Sequence, residues 1–114
     1  MHELGLAFHV MDTVEEIAKE QDLKKVGSVT LEIGQVSGVI FDYLSDVWDW
    51  AAAKRELFAG SRLKCEEIHA ITYCRACGKT YDTVPQGREC PYCHSPETEL
   101  VTGNEFLIKE IEAY

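Results

Sequence analysis

Four cysteines in the second half of the chain have the spacing of metal ligands. They are Cys74, Cys77, Cys90 and Cys93, arranged as two Cys-x-x-Cys pairs that are twelve residues apart. Two thiolates of one pair can reach the same ion when the backbone turns tightly, and Gly78 and Pro91 favour such turns. Two pairs then close a tetrahedral site without an open position, which is typical of a structural zinc ribbon. The spacing therefore predicts a structural Zn²⁺ at these four cysteines.

Other chemistries share the same residues. Tetrahedral sulfur ligands also suit iron, which would make a rubredoxin-like Fe(Cys)₄ electron carrier, and a zinc ribbon can serve purely as a protein-interaction adaptor. Cys90-Pro-Tyr-Cys93 matches the dithiol motif of glutaredoxins, and His94 completes a c-type haem signature. A redox dithiol needs a strand-to-helix turn, and haem attachment would leave the first cysteine pair unused, so both are disfavoured. His94 is also a candidate hydrogen-bonding neighbour of the cysteine site.

The first three residues offer a second set of metal donors. Met1-His2-Glu3 brings an α-amine, a backbone amide, an imidazole and a carboxylate together. Because an initiator methionine is generally kept before a bulky residue, we expect His2 to remain the second residue. Nitrogen and oxygen donors in a planar arrangement favour Ni(II) or Cu(II). Most terminal histidines bind no metal, so the pattern alone leaves this site open.

Composition limits the classes of partner. The chain has 114 residues, with 11 Lys+Arg against 20 Asp+Glu and a formal charge of −9. This acidic balance argues against bulk electrostatic binding to nucleic acid or to an anionic membrane. No apolar run approaches the ~20 residues of a membrane span, and no signal peptide is visible. We therefore expect a cytoplasmic protein, and the lack of a nucleophile pair or phosphate loop predicts no enzymatic activity.

Hydrophobic periodicity predicts the elements that must position these donors. The patterns indicate helices at about 3–21 and 43–55, and strands at 28–33, 62–72 and 106–111. Cys65 lies on the apolar face of the predicted strand 62–72, and we expect its thiol to be part of the core. The last strand is expected to return to the first sheet.

A change in composition begins at residue 73. Residues 74–99 contain all three prolines and few aliphatic side chains, so this segment cannot form a stable core without a cross-link such as a metal ion. We therefore predict an α+β fold, in which two helices pack on a three-stranded sheet to form a small mixed α/β body. The body comprises residues 1–72 and 101–114, and a zinc-ribbon-like Cys₄ domain is inserted at residues 73–100.

Four segments occur in an order that is typical of one known family. They are the Met1-His2-Glu3 start of a helix, the segment Ile33-Gly34-Gln35-Val36-Ser37-Gly38-Val39, the two cysteine pairs, and Gly103-Asn104-Glu105-Phe106-Leu107-Ile108 leading to Ile111-Glu112. On these segments the chain resembles the hydrogenase nickel-insertion family HypA/HybF over nearly its whole length. Cys65 stands where an aliphatic residue is usual, which affects no functional position.

The resemblance implies a nickel-binding α/β body and a non-enzymatic metallochaperone. Nickel would be held at Met1, His2 and Glu3, with His2 essential. The protein would work with the GTPase HypB to deliver this nickel to the large subunit of [NiFe]-hydrogenase. The resemblance also implies that Zn²⁺ is held structurally by the four cysteines, and that urease maturation factors are served in some bacteria.

Overall fold

The chain builds one small sheet, then a second, and returns to the first sheet with its last strand. The computed structural model describes the backbone from His2 to Tyr114 and the side chains from Glu3 onward. The helices and strands, in chain order, are α1 (His2–Glu20), β1 (Val26–Gly34), α2 (Phe41–Ala52), β2 (Arg62–Ile68), β3 (Ile71–Cys74), β4 (Thr80–Asp82), α3 (Thr83–Gln86), β5 (Thr98–Thr102) and β6 (Phe106–Ala113). One sheet has the strand order β2-β1-β6, and the other has the order β4-β3-β5.

Contacts divide the chain into two compact units. The first unit comprises the chain up to Leu31, Val39–Glu66 and Leu107–Tyr114, and the second comprises Glu32–Gly38 and Glu67–Phe106. The predicted α+β architecture, a mixed body with a four-cysteine ribbon, is confirmed. The assignment of nickel binding to residues 1–72 and 101–114 and of zinc binding to residues 73–100 stays a prediction. Among the described residues, no helix combines the length and apolar character that crossing a bilayer requires.

The first helix is amphipathic, as its sequence predicts. Its buried positions recur at intervals of three and four residues: Ala7, Val10, Met11, Val14 and Ala18. The helix ends in a Schellman turn, in which Asp22 adopts a φ of 54° and the Leu23 N–H donates to the Ala18 carbonyl oxygen at 2.8 Å. Glu3 in the first turn and Lys19 in the last complement the helix dipole.

The second helix separates two tryptophans that are two residues apart. Trp48 is fully buried, donates from Nε1 to Ser61 Oγ at 3.1 Å, and meets Phe58 edge-to-face at 5.6 Å between ring centroids. Trp50 is 54% exposed and lies under the Lys54 ammonium, 4.6 Å from its ring centroid. One tryptophan therefore builds the core, while the other stays on the surface, in line with their spacing.

Arg55 joins the two helices. Its Nη1 atom lies 3.0 Å from Asp12 Oδ1 and 3.0 Å from Glu15 Oε1, both on α1. Partial burial of the guanidinium opposes its charge, but these two carboxylates outweigh that effect and raise the pKa of Arg55 above its ordinary value. The pair of ionic contacts fixes the region after α2 against the middle of α1.

The first sheet shows that β6 returns beside β1, as expected. Lys25 and Tyr114 exchange both backbone hydrogen bonds at 2.9 Å, so the start of β1 pairs with the end of β6 in antiparallel fashion. The imperfect alternation of β6 has a structural counterpart. Its half-buried residues change phase along the strand, from Phe106 and Ile108 to Ile111 and Ala113.

The central strand β1 is buried on both faces. Val29 and Leu31 are fully buried on one face, and Ser28 and Thr30 are buried on the other. Ion pairs join the two edge strands: Lys64 Nζ lies 3.3 Å from Glu112 Oε1, and Lys109 Nζ lies 2.6 Å from Glu66 Oε1. Long charged side chains can cover the polar face of a sheet in this way while their charged ends stay in water.

The prediction of one strand over residues 62–72 is wrong, because the chain changes sheets at residues 69 and 70. The His69 carbonyl oxygen accepts from Thr102 Oγ1 at 2.9 Å, and the Ala70 N–H donates to Gln35 Oε1 at 2.9 Å. Side chains therefore take the place of ladder partners at this point, so β2 ends at Ile68 and β3 begins at Ile71. Cys65 on β2 is half-buried.

Ser28→Ala is expected to raise the pKa of Glu112. The carboxylate of Glu112 accepts from Ser28 Oγ and contacts Lys64, and these contacts lower its pKa below the ordinary value of 4.5. A carboxyl group whose pKa is lower in the folded state stabilises that state above its unfolded pKa, and this stabilisation is lost as pH falls through the folded pKa. Carboxyl-carbon NMR titration measures the change.

Ser45→Ala is the matched control, since this half-buried serine lies on α2. An unchanged Glu112 pKa in Ser28→Ala would show that the hydroxyl does not act on the carboxylate.

Candidate metal centre

The four predicted cysteines come together around a common centre. Their Sγ atoms all lie within 4.8 Å of one another. Cys74 Sγ is 3.6 Å from Cys93 Sγ, and Cys77 Sγ is 3.7 Å from Cys90 Sγ. Sulfur atoms at ~2.3 Å from a tetrahedral ion are separated by ~3.8 Å, whereas a disulfide needs ~2.05 Å. The geometry thus fits one four-coordinate metal ion and not a pair of disulfides.

Each cysteine pair is held by the same backbone turn. In the first turn, Gly78 N donates to Cys74 O at 2.8 Å and Cys74 N donates to Lys79 O at 2.9 Å. The second turn repeats both bonds, because His94 N donates to Cys90 O at 2.8 Å and Cys90 N donates to Ser95 O at 3.1 Å. The two turns therefore present their sulfur atoms in the same way.

His94 occupies the position that glycine occupies in the first turn. Gly78 has a φ of 77° and His94 a φ of 62°, and a left-handed backbone of this kind favours glycine. The His94 imidazole is exposed, and its Nδ1 lies 3.1 Å from Glu89 Oε2. The predicted role of His94 as a neighbour of the metal site therefore has a backbone component that the residue type did not suggest. Aligning Cys-x-x-Cys-Gly with Cys-x-x-Cys-His would have revealed it.

The sulfur cluster does not ionise evenly. Burial opposes the thiolate of Cys90, but the amides of Cys93 and Tyr92 and the neighbouring thiols outweigh it and lower the pKa of Cys90 to about 7. For Cys93, the Ser95 amide favours the thiolate, but burial and the nearby sulfurs raise its pKa to about 12. A divalent cation would favour the ionised form of all four sulfurs, since a coordinating thiol is deprotonated outright. The donor set therefore suits a bound cation.

Two ligands of the site also form the interior of the second unit. Cys74, Tyr81 and Cys90 make one buried cluster, and Tyr81 Oη donates to Gly87 O at 3.0 Å. Cys77 and Cys93 are exposed, so each turn contributes one buried and one exposed sulfur. Among the side chains described from Glu3 onward, these cysteines are the one group of three or more candidate ligands that could share an ion.

Of the terminal donor set, the side chains of Met1 and His2 lie outside the described residues. The Glu3 carboxylate is half-buried, and its Oε2 lies 3.5 Å from the Ile40 amide nitrogen, just before α2 begins. Glu3 also lines a groove of about 490 Å³ between α1 and α2, together with Leu4, Tyr43, Asp46, Val47 and Trp50.

Two further histidines, His9 and His69, do not belong to the four-sulfur group. His9 is exposed on α1, and His69 Nε2 contacts Asp82 Oδ1 at 3.0 Å. His9 is therefore a surface side chain, and His69 is a hydrogen-bonded one.

Comparison with known proteins gives this arrangement its class. The fold and the site define a small α+β metal-binding protein with a four-cysteine centre. The sequence model of the family described as "Hydrogenase/urease nickel incorporation, metallochaperone, hypA" matches residues 1–113. The chain belongs to this family, and the resemblance seen in its motifs is confirmed.

Individual relatives cover almost the full chain. It is 34% identical over 111 residues to the hydrogenase maturation factor HypA of Chlorobium limicola, over 97% of this chain and 95% of that protein. The corresponding factor of Dehalococcoides mccartyi is 31% identical over 112 residues, with coverages of 98% and 93%.

Solved structures show the same fold. The solution structure of the Ni metallochaperone HypA from Helicobacter pylori matches with a TM-score of 0.71 at 19% identity, over 97% of this chain and 96% of that chain. A second solution structure, of a HypA protein, matches with a TM-score of 0.76 at 20% identity, with coverages of 100% and 97%.

His94→Gly is expected to keep or slightly strengthen metal binding, because glycine removes the strain of a left-handed residue. His94→Val is expected to weaken binding about tenfold, since the left-handed conformation costs roughly 1–2 kcal/mol for a residue with a Cβ and more for a branched one. Competition with a chromogenic chelator measures both affinities.

Glu89→Gln serves as the control, because it removes the carboxylate beside the imidazole and leaves the turn intact. A large loss of affinity in His94→Gly would mean that the imidazole, and not the backbone, is what the site requires.

Proposed function

We propose that this protein is a nickel metallochaperone that binds Ni(II) at Met1, His2 and Glu3 and helps to insert it into [NiFe]-hydrogenase. The observation that carries the proposal is the match of a nickel-incorporation family over residues 1–113, a span that includes the terminal donors and the cysteine pairs. Nickel is cargo in this proposal, so the protein acts by binding and release and not as an enzyme.

The surroundings of Glu3 support a terminal nickel site. Its carboxylate lies near the beginning of α2 and lines the groove together with Asp46, so two acidic side chains border this groove. The α-amine and imidazole that precede Glu3 in the sequence supply nitrogen donors, and such mixed sets favour Ni(II) or Cu(II). Donors at a chain end can be released one at a time, which suits an ion that must be handed on.

The four cysteines suit a structural Zn²⁺. Their sulfur separations fit a tetrahedral ion, and four protein ligands leave no open position for substrate or for transfer. Two of the four sulfurs are buried within the second unit, so we infer that zinc contributes to the folding of that unit. Zinc is therefore proposed as the resident metal, and nickel as the transferred one.

The proposed partners are the GTPase HypB and the large subunit of [NiFe]-hydrogenase, in the cytoplasm. Maturation of hydrogenase is the role that the names of the Chlorobium and Dehalococcoides relatives print, and the family description adds urease. We extend the proposal to urease maturation factors on that description. The formal charge of −9 favours fast association with basic surfaces.

Purified protein is expected to be colourless and to contain one zinc per chain. Iron at the same sulfurs would absorb visible light, so elemental analysis combined with an absorption spectrum separates the two metals. Cys77→Ala should lose this metal and the order of the second unit while far-UV circular dichroism keeps the helical signal of α1 and α2, which belong to the first unit.

Cys65→Ala is the matched control, because this cysteine lies outside the four-sulfur group. Stoichiometric iron in protein with a visible charge-transfer band would contradict the zinc assignment.

Untagged protein is expected to bind one Ni(II) at the N-terminus, and an N-terminal tag or His2→Ala should weaken this binding at least about tenfold, since each removes a nitrogen donor. Isothermal titration of protein with a native N-terminus measures the affinity.

His9→Ala is the control, since it removes an exposed imidazole from the same helix and leaves the terminal donors in place. Equal nickel affinity in tagged and untagged protein would rule out the terminal site.

A further inference from the structure

Two glycines bring three distant segments of the second unit into backbone contact. A Cβ atom built on Gly34 would lie 2.1 Å from the carbonyl carbon of Gly103, and one built on Gly103 would lie 2.5 Å from Cα of Ala70. Gly103 also has a φ of 114°, which side chains rarely allow. We call residues 34–36, 68–70 and 103–105 the glycine junction. Neither glycine tolerates a side chain there.

Hydrogen bonds tie the three segments of the junction together. The N–H groups of Gly34, Gln35 and Val36 donate to the carbonyl oxygens of Glu105, Ile68 and Gly103, each at 2.8 Å. Two side chains complete the set. Gln35 Oε1 accepts from the Ala70 N–H at 2.9 Å, and Glu105 Oε1 accepts from the Gly103 N–H at 2.8 Å.

One strand leads from the junction to the metal centre. Ala70 precedes β3, and Cys74 is the last residue of that strand, so the two are about 13 Å apart at ~3.3 Å per residue. β3 is the middle strand of its sheet, where Tyr73 pairs with Thr80 of β4 and Glu99 of β5. A metal ligand and a junction residue therefore lie at opposite ends of one central strand.

Residues of the metal centre also form the buried cluster against which β3 packs. The buried cluster of this unit consists of Cys74, Cys90 and Tyr81, and two of these residues are sulfur ligands. Loss of the metal therefore removes what orders β3, and with it the position of Ala70.

We infer that Gln35 is a positioning residue through which metal binding at the four cysteines holds the segment Gly34–Val36 in place. The inference rests on the metal site that the proposed function assigns to zinc. The Gln35 side chain links this segment to β3, because its Oε1 accepts from the Ala70 N–H, which lies just before the strand. The order of this segment then follows the metal occupancy of the cysteine centre.

Amide hydrogen exchange on full-length protein tests the inference, with one equivalent of Zn(II) bound and after removal by a chelator. We expect the amides of Gln35, Val36 and Ala70 to exchange slowly when zinc is bound and at least about tenfold faster when it is removed. The buried α1 amides of Val14 and Ala18 should not change. Equal protection of the junction amides in both states, or acceleration of the α1 amides as well, would overturn the inference.

Variants isolate the side chain. With zinc bound, Gln35→Leu should accelerate exchange at Ala70 by a factor of about five, as expected for one lost hydrogen bond, and Gln35→Glu should restore protection because it keeps an acceptor. Gln86→Leu, at an exposed position on α3, is the matched control. A Gln35→Leu protein that exchanges like wild type overturns the inference.

Zinc content measured in the same samples separates the two ideas. Zinc that binds without changing exchange at the junction overturns only the role of Gln35. Failure to bind zinc at all contradicts the zinc assignment and the inference together.

Discussion

The convergence of four cysteine sulfurs on one point is the constraint on which the second unit depends. The sulfur atoms lie within 4.8 Å of one another, and two of them form the buried cluster of their unit with Tyr81. Burial opposes the thiolate of Cys90, but neighbouring amides lower its pKa to about 7. The Ser95 amide favours the thiolate of Cys93, but burial and the nearby sulfurs raise its pKa to about 12. A cation bound by all four sulfurs would favour their ionised forms and supply cohesion that the scarce aliphatic side chains cannot.

The motifs that mark the family serve different physical purposes. The cysteine pairs converge on one centre, but Gly34-Gln35 and Gly103-Asn104-Glu105 lie where the chain crosses between the two sheets. Gly34 and Gly103 are required there because any Cβ would collide with backbone. A resemblance based on such segments therefore reflects the backbone framework of the family as well as its metal site. Close packing between backbone segments restricts the residue type at a position as strongly as metal binding does.

The first unit could be largely predicted because its elements carry their own periodicity. The apolar spacing of α1 and the alternation of β1 follow from local sequence. These two elements, as well as α2 and β6, lie within two residues of their predicted ends, except that α2 ends three residues earlier than predicted. The break between β2 and β3 could not be predicted, because it depends on the side chain of Gln35, which is 35 residues distant from Ala70. Residue type and paired spacing made ligand candidates of Cys74, Cys77, Cys90 and Cys93, whereas the backbone role of His94 depends on a φ angle that composition does not encode.

The crossing at Gly103 has a consequence for the order of events during synthesis. Gly103 packs on Gly34, and β6 pairs with β1, so these contacts join residues about seventy or more positions apart. Contacts with such long sequence separation form late, because closing a long loop costs entropy before any contact repays it. The sheet β2-β1-β6 can therefore not close while the segment from Gly103 onward is still inside the ribosome, because β6 begins at Phe106. The first sheet and the glycine junction are thus completed last, whereas the strands that carry the cysteine centre, β3 to β5, all precede Gly103 in the chain.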